Sequence, residues 1–61
     1  MLPTLYRFII HATSEGKPHT ATWDYPTRRG AEQAFLENAR MMFNDTVIDS
    51  VDELGPIDEL D

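Results

Sequence analysis

Two runs of alternating apolar side chains flank a single Glu15-Gly16 step, and they decide most of what this chain can become. Tyr6, Phe8, Ile10 and Ala12 alternate in the first run, and Ala21, Trp23 and Tyr25 in the second. Period two marks a half-buried strand. A turn at Glu15-Gly16 folds the runs into an antiparallel hairpin that pairs Tyr6 with Tyr25, Phe8 with Trp23 and Ile10 with Ala21 on one face. The other face then pairs Arg7 with Asp24, Ile9 with Thr22 and His11 with Thr20. A slip of one residue would destroy every one of these pairs, so the register is strongly specified. Glu15 is a poor residue for positive φ, so a loop of three or four residues with Gly16 left-handed is expected.

Tyr25-Pro26-Thr27 ends the second strand and opens a helix, with the Thr27 hydroxyl placed to cap it. Ala31, Ala34, Phe35, Asn38, Ala39 and Met42 then form one stripe at helical spacing, with Glu32, Gln33, Glu37 and Arg40 on the outer side. Asn44 suits the left-handed residue that stops a helix. Thr46-Val47-Ile48-Asp49-Ser50-Val51 reads as a short third strand whose inner face the pattern leaves ambiguous. A right-handed crossover places it beside the first strand. The expected fold is therefore α+β: a ββαβ two-layer domain with a three-stranded antiparallel sheet, order 2-1-3, and one helix on one face. The opposite face, with Leu5, Arg7, Ile9, His11, Thr20, Thr22 and Asp24, has nothing left in the chain to cover it.

Val51-Asp52-Glu53-Leu54 recurs as Ile57-Asp58-Glu59-Leu60 across Gly55-Pro56. Gly-Pro breaks regular structure, so residues 1–54 are read as the domain and residues 55–61 as a flexible acidic tail. With 61 residues and no cysteine, the chain has no disulfide framework and holds a single core. A chain of this length buries only about 60% of its unfolded surface, and average packing gives a radius of gyration of about 10–11 Å. No apolar run is long enough to span a membrane, and Met1-Leu2-Pro3-Thr4 lacks the plan of a signal peptide. A cytoplasmic location is expected.

Charge is divided unevenly. Residues 1–44 carry five basic and four acidic side chains, whereas residues 45–61 carry seven acids and no base, which makes the net charge −6. Such a chain repels the phosphate backbone, which argues against direct nucleic-acid binding. Basic protein surfaces are the partners that this charge attracts.

Catalytic and metal-binding patterns find little support. A triad needs a nucleophile, a base and an orienting acid converging in a pocket. His11 and His19, the only candidate bases, project from opposite sheet faces in the expected register. They cannot share a metal, and no third nitrogen or sulfur ligand exists. Asp52-Glu53 and Asp58-Glu59 lack the spacing of a calcium loop, and the three glycines stand apart rather than in a phosphate-binding pattern. No enzyme activity, cofactor or metal is expected. The aromatic set Tyr6, Phe8, Trp23 and Tyr25 reads as core beneath the helix rather than as a base-stacking surface.

Arg28, Arg29 and Gly30 occupy the first helical turn, where cations oppose the helix dipole and glycine costs about 1 kcal/mol against alanine. One reading pairs Arg28 with Glu32 at i, i+4. The other is a basic knuckle that meets an acidic partner or clasps the chain's own acidic tail.

The order strand, tight turn, strand, Thr-capped helix, short strand resembles the layout of small phage-encoded host-takeover proteins. These include the short inhibitor of bacterial RNA polymerase and several anti-CRISPR proteins. The likeness is carried by Tyr6-Arg7-Phe8-Ile9-Ile10, the spacing Thr27…Ala31…Phe35, and Thr46-Val47-Ile48, over about 45 residues. It implies a non-catalytic protein in the bacterial host cytoplasm that occupies a surface of a larger host machine. Asp49, Asp52, Glu53, Asp58 and Glu59, with Arg28 and Arg29, are the candidate partner-binding residues, and the expected partner is a larger host protein with a basic surface. The alternative is a structural module that forms a weak homodimer through the bare sheet face, with Leu5, Ile9, Leu36 and Phe43 at the interface. A nucleic-acid-binding ββαβ domain is the third reading.

Overall fold

The computed structural model describes residues 3–59. Strand β1 (Tyr6–Ser14) and strand β2 (Lys17–Tyr25) form the hairpin, helix α1 (Arg28–Met42) follows, and strand β3 (Thr46–Pro56) closes the sheet before a 3-10 turn over Ile57–Glu59. The sheet order is β2-β1-β3, antiparallel throughout, with the helix against one face. The ββαβ α+β layout read from the sequence is the fold.

The β1–β2 register is the expected one along its whole length, from Tyr6 opposite Tyr25 to Ser14 opposite Lys17. The turn is tighter than expected. It holds two residues, with both Glu15 (φ 51°) and Gly16 (φ 81°) left-handed, as a twisted two-residue hairpin turn requires. Glu15 is held there from outside the hairpin, because its N–H donates to the Asp45 carbonyl at 2.9 Å. The strands are long for so short a chain. Their length stretches the molecule to 38 Å on its major axis and raises the radius of gyration to 12.2 Å.

Thr27 caps the helix, its hydroxyl accepting from the Gly30 N–H at 3.0 Å. Phe8, Ile10 and Ala12 from β1 meet Ala31, Phe35 and Ala39 from α1 in the buried core. The buried stripe is narrower than the sequence implies, since Asn38 and Met42 lie exposed on its flank. The helix also stops differently. Phe43 terminates it in an extended conformation (φ −132°), its N–H donating to the Ala39 carbonyl at 2.7 Å, and Asn44 is not left-handed.

Strand β3 departs most from expectation, running for 11 residues rather than six. Gly55 and Pro56 extend it instead of breaking it, pairing with Arg7 and Tyr6. Ile57 then donates its N–H to the Leu5 carbonyl at 3.0 Å. Proline is tolerated on an edge strand, where a missing N–H breaks no ladder. The part of the expected flexible tail from Gly55 to Glu59 is thus regular structure, and Leu60 and Asp61 lie outside the described residues. The register slips at Arg7/Phe8 and at His11/Ala12, leaving Leu54 and Asp49 as extra residues in two β-bulges.

Candidate functional site

The second bulge sets which way β3 faces. Ile48 and Val51 both pack against the core, yet residues three apart on a regular strand point to opposite faces. The extra residue Asp49 resets the phase, so that Ile48 pairs with Ala12 and Val51 with Ile10, both on the helix side. The same reset turns Asp52, opposite Ile9, onto the uncovered face. Asp49 joins it there, its Oδ2 accepting from Thr13 Oγ1 at 2.7 Å. Asp52 Oδ2 lies 2.9 Å from His11 Nε2.

The uncovered face therefore has a definite composition. At its β2 margin Arg7 donates to both oxygens of Asp24, at 2.9 and 3.1 Å. These bonds hold the Asp24 carboxyl below its ordinary range against the opposing effect of desolvation, and the guanidinium charge adds to them. Ile9 sits half-buried at the centre, and Val47 is exposed opposite Thr13. Asp49 and Asp52 line the β3 margin. Apolar side chains flanked by oriented carboxylates suit a cationic protein surface better than an anionic or purely apolar one.

The other candidate residues do not join this group. Glu53 lies opposite Phe8, on the helix side of the same strand, and is exposed. Asp58 and Glu59 are exposed on the 3-10 turn beyond β3. Arg28 and Arg29 are exposed in the first helical turn, with Arg28 Nε 3.4 Å from Glu32 Oε1. Among the described residues neither arginine forms an ion pair with Asp58 or Glu59. Gly30, unexplained in the sequence, has a packing reason: a Cβ there would lie 2.8 Å from Tyr25 Cδ1 and 3.0 Å from the capping Thr27 hydroxyl.

One polar cluster has no counterpart among the sequence motifs. Ser14, buried at 2% exposure, places its Oγ 2.7 Å from His19 Nε2 and 2.8 Å from Thr46 Oγ1. The His19 ring stands between Phe35 and Phe43, with centroids 5.8 and 5.6 Å away. Continuing the two alternations by one step, from Ala12 to Ser14 and from Ala21 back to His19, places both on the helix side. The serine–histidine contact has the distance of a nucleophile and its base. Its hydroxyl is buried and shared with Thr46, and among the described residues no carboxylate hydrogen-bonds to His19. The three side chains tie the turn end of the hairpin to the start of β3.

Among the described residues no cluster of three metal-ligating side chains occurs, and no helix is long and apolar enough to cross a membrane. No protein-family model matches the chain, and neither does any curated protein or solved structure.

Proposed function

We propose that this chain is a small acidic, non-catalytic protein-binding module that docks its uncovered sheet face onto a basic surface of a larger protein. One observation carries the reading: the β3 bulge presents Asp49 and Asp52 together on a face that also offers Ile9 and Val47. Among the described residues the one α-helix covers the opposite face. The carboxylates steer encounter and set orientation, while the apolar side chains supply the area that dries on contact. Asp58 and Glu59, away from this face, add long-range attraction.

The resemblance of the strand order to that of small phage proteins supports a bacterial machine that handles nucleic acid as the target, and blocking or retuning that machine as the outcome. The test is capture from bacterial lysate with the wild-type chain and with Asp49→Lys/Asp52→Lys, followed by binding kinetics on each protein retained. A partner of net positive surface should be lost on the double reversal, and its association should slow as salt rises. Retention that is indifferent to the reversal and to salt would overturn the reading.

A further inference from the structure

We propose that the outer edge of β2 is a second interaction surface and that its occupant is the β2 edge of a second copy of this chain. The two free edges of the sheet are built differently. The β3 edge is bulged twice and carries Asp49, Asp52 and Glu53, devices that discourage strand pairing. The β2 edge has nine residues in unbroken register, with one base (Lys17) and one acid (Asp24). Its middle, Thr20 to Trp23, bears neither charge nor proline.

Backbone geometry makes this edge complementary to itself. In a two-residue hairpin the residues flanking the turn exchange both hydrogen bonds, so Lys17, His19, Ala21, Trp23 and Tyr25 bond inward to β1. Thr20, Thr22 and Asp24 then direct both N–H and C=O outward, and Pro18 its C=O. An antiparallel pair of β2 strands related by a two-fold axis uses all nine residues in one register only, with Lys17 opposite Tyr25 and Ala21 on the axis. That register puts Thr20 opposite Thr22 of the other copy, and Asp24 N–H opposite the Pro18 carbonyl, which needs no N–H in return. About six intermolecular backbone hydrogen bonds result. Ala21, the smallest side chain of the strand's centre, takes the closely spaced pair on the axis.

Side chains and charge agree with this pairing. On the helix side of β2 an apolar groove of about 360 Å³ runs between His19, Ala21, Trp23, Phe35, Met42 and Phe43. Met42 is 74% exposed at its rim. The two-fold axis sets both helices on the same side of a six-stranded sheet and brings the two grooves together. Each Trp23 then stands opposite the second copy's His19. The acidic β3 strands become the two outermost, five strand spacings or about 24 Å apart, well beyond a Debye length of about 8 Å. The acidic strands of two chains of charge −6 are thus kept apart, and both uncovered faces stay free.

The chain has no cysteine, so single cysteines report the interface directly. Ala21→Cys tests the β2 edge, and Ile9→Cys tests association through the uncovered face. Under mild oxidation of the full chain, Ala21→Cys should give covalent dimer at least tenfold faster than Ile9→Cys. Sedimentation of the unmodified chain from micromolar to millimolar concentration should show a monomer–dimer equilibrium. Thr22→Pro, which removes only an outward N–H, should abolish it while the circular dichroism stays that of the folded chain. Should that variant unfold, the cysteine pair still decides. Monomer at every concentration, or cross-linking at Ile9 as fast as at Ala21, would overturn the proposal.

Discussion

Tyr25 Cδ1 lies where a side chain on Gly30 would have to go: a Cβ at Gly30 would approach it to 2.8 Å. Glycine in the first turn of α1 lets the tyrosine ring pack flush against the helix start beside the capping Thr27. The helix penalty of about 1 kcal/mol is offset by that contact.

Gly30→Ala should therefore destabilise the chain by about 1–2 kcal/mol, because overpacking outweighs the gain in helix propensity. Urea unfolding of Gly30→Ala, Tyr25→Ala and the double variant measures the coupling. A stabilised Gly30→Ala chain would show that the ring yields freely.

The Thr27 cap should be separable from that packing. Thr27→Ala should cost about 1 kcal/mol and Thr27→Ser much less, because the serine hydroxyl can still accept from the Gly30 N–H. Thermal unfolding monitored at the helix band checks the order of the two variants.

The Asp49 bulge makes a deletion in mid-strand tolerable. Asp49→Ala keeps the residue count and should change stability by less than about 0.5 kcal/mol. Deleting Asp49 removes only the extra residue and leaves Ile48 opposite Ala12 and Val51 opposite Ile10 in a regular ladder, so it should cost no more than about 1 kcal/mol. Unfolding of the deletion variant under conditions where Asp49→Ala stays folded would mean that β3 pairs in another register.

The last residues of β3 bear on stability as well as charge. Truncation after Leu54 removes the pairs that Gly55 and Pro56 make with β1, and the Ile57 to Leu5 bond. A loss of about 1–2 kcal/mol is expected, read as a lower midpoint in urea. An unchanged midpoint would show that these pairs contribute nothing in solution.

Acid should act partly through Asp24. Its carboxyl titrates below its ordinary value of 3.8 in the folded chain because Arg7 bonds to the charged form. The unfolded chain therefore takes up that proton first as pH falls. The stabilisation is complete above the unfolded pKa and is lost as pH drops through the folded one. Asp24→Asn should lose less stability than the wild type between about pH 5 and pH 2. Parallel acid limbs for the two proteins would show that Asp24 has no part in the acid response.

The hairpin can be read from the residues alone, down to Arg7 facing Asp24, because strand alternation and turn position are short-range facts that allow one register. The Thr27 cap and the β2-β1-β3 order follow in the same way, the latter from the handedness of crossovers. Strand β3 is different. Ile48 and Val51 are inconsistent with any single face of a regular strand, and only pairing against β1, more than thirty residues away, introduces the bulge that reconciles them. That bulge also brings Asp49 and Asp52 onto one face and leaves Glu53 on the other, a sorting that charge counting cannot make. Gly30 and Gly55-Pro56 depend on tertiary structure for the same reason. Local propensity describes the isolated segment, whereas the Tyr25 ring and the edge of β1 supply the partners that outweigh it.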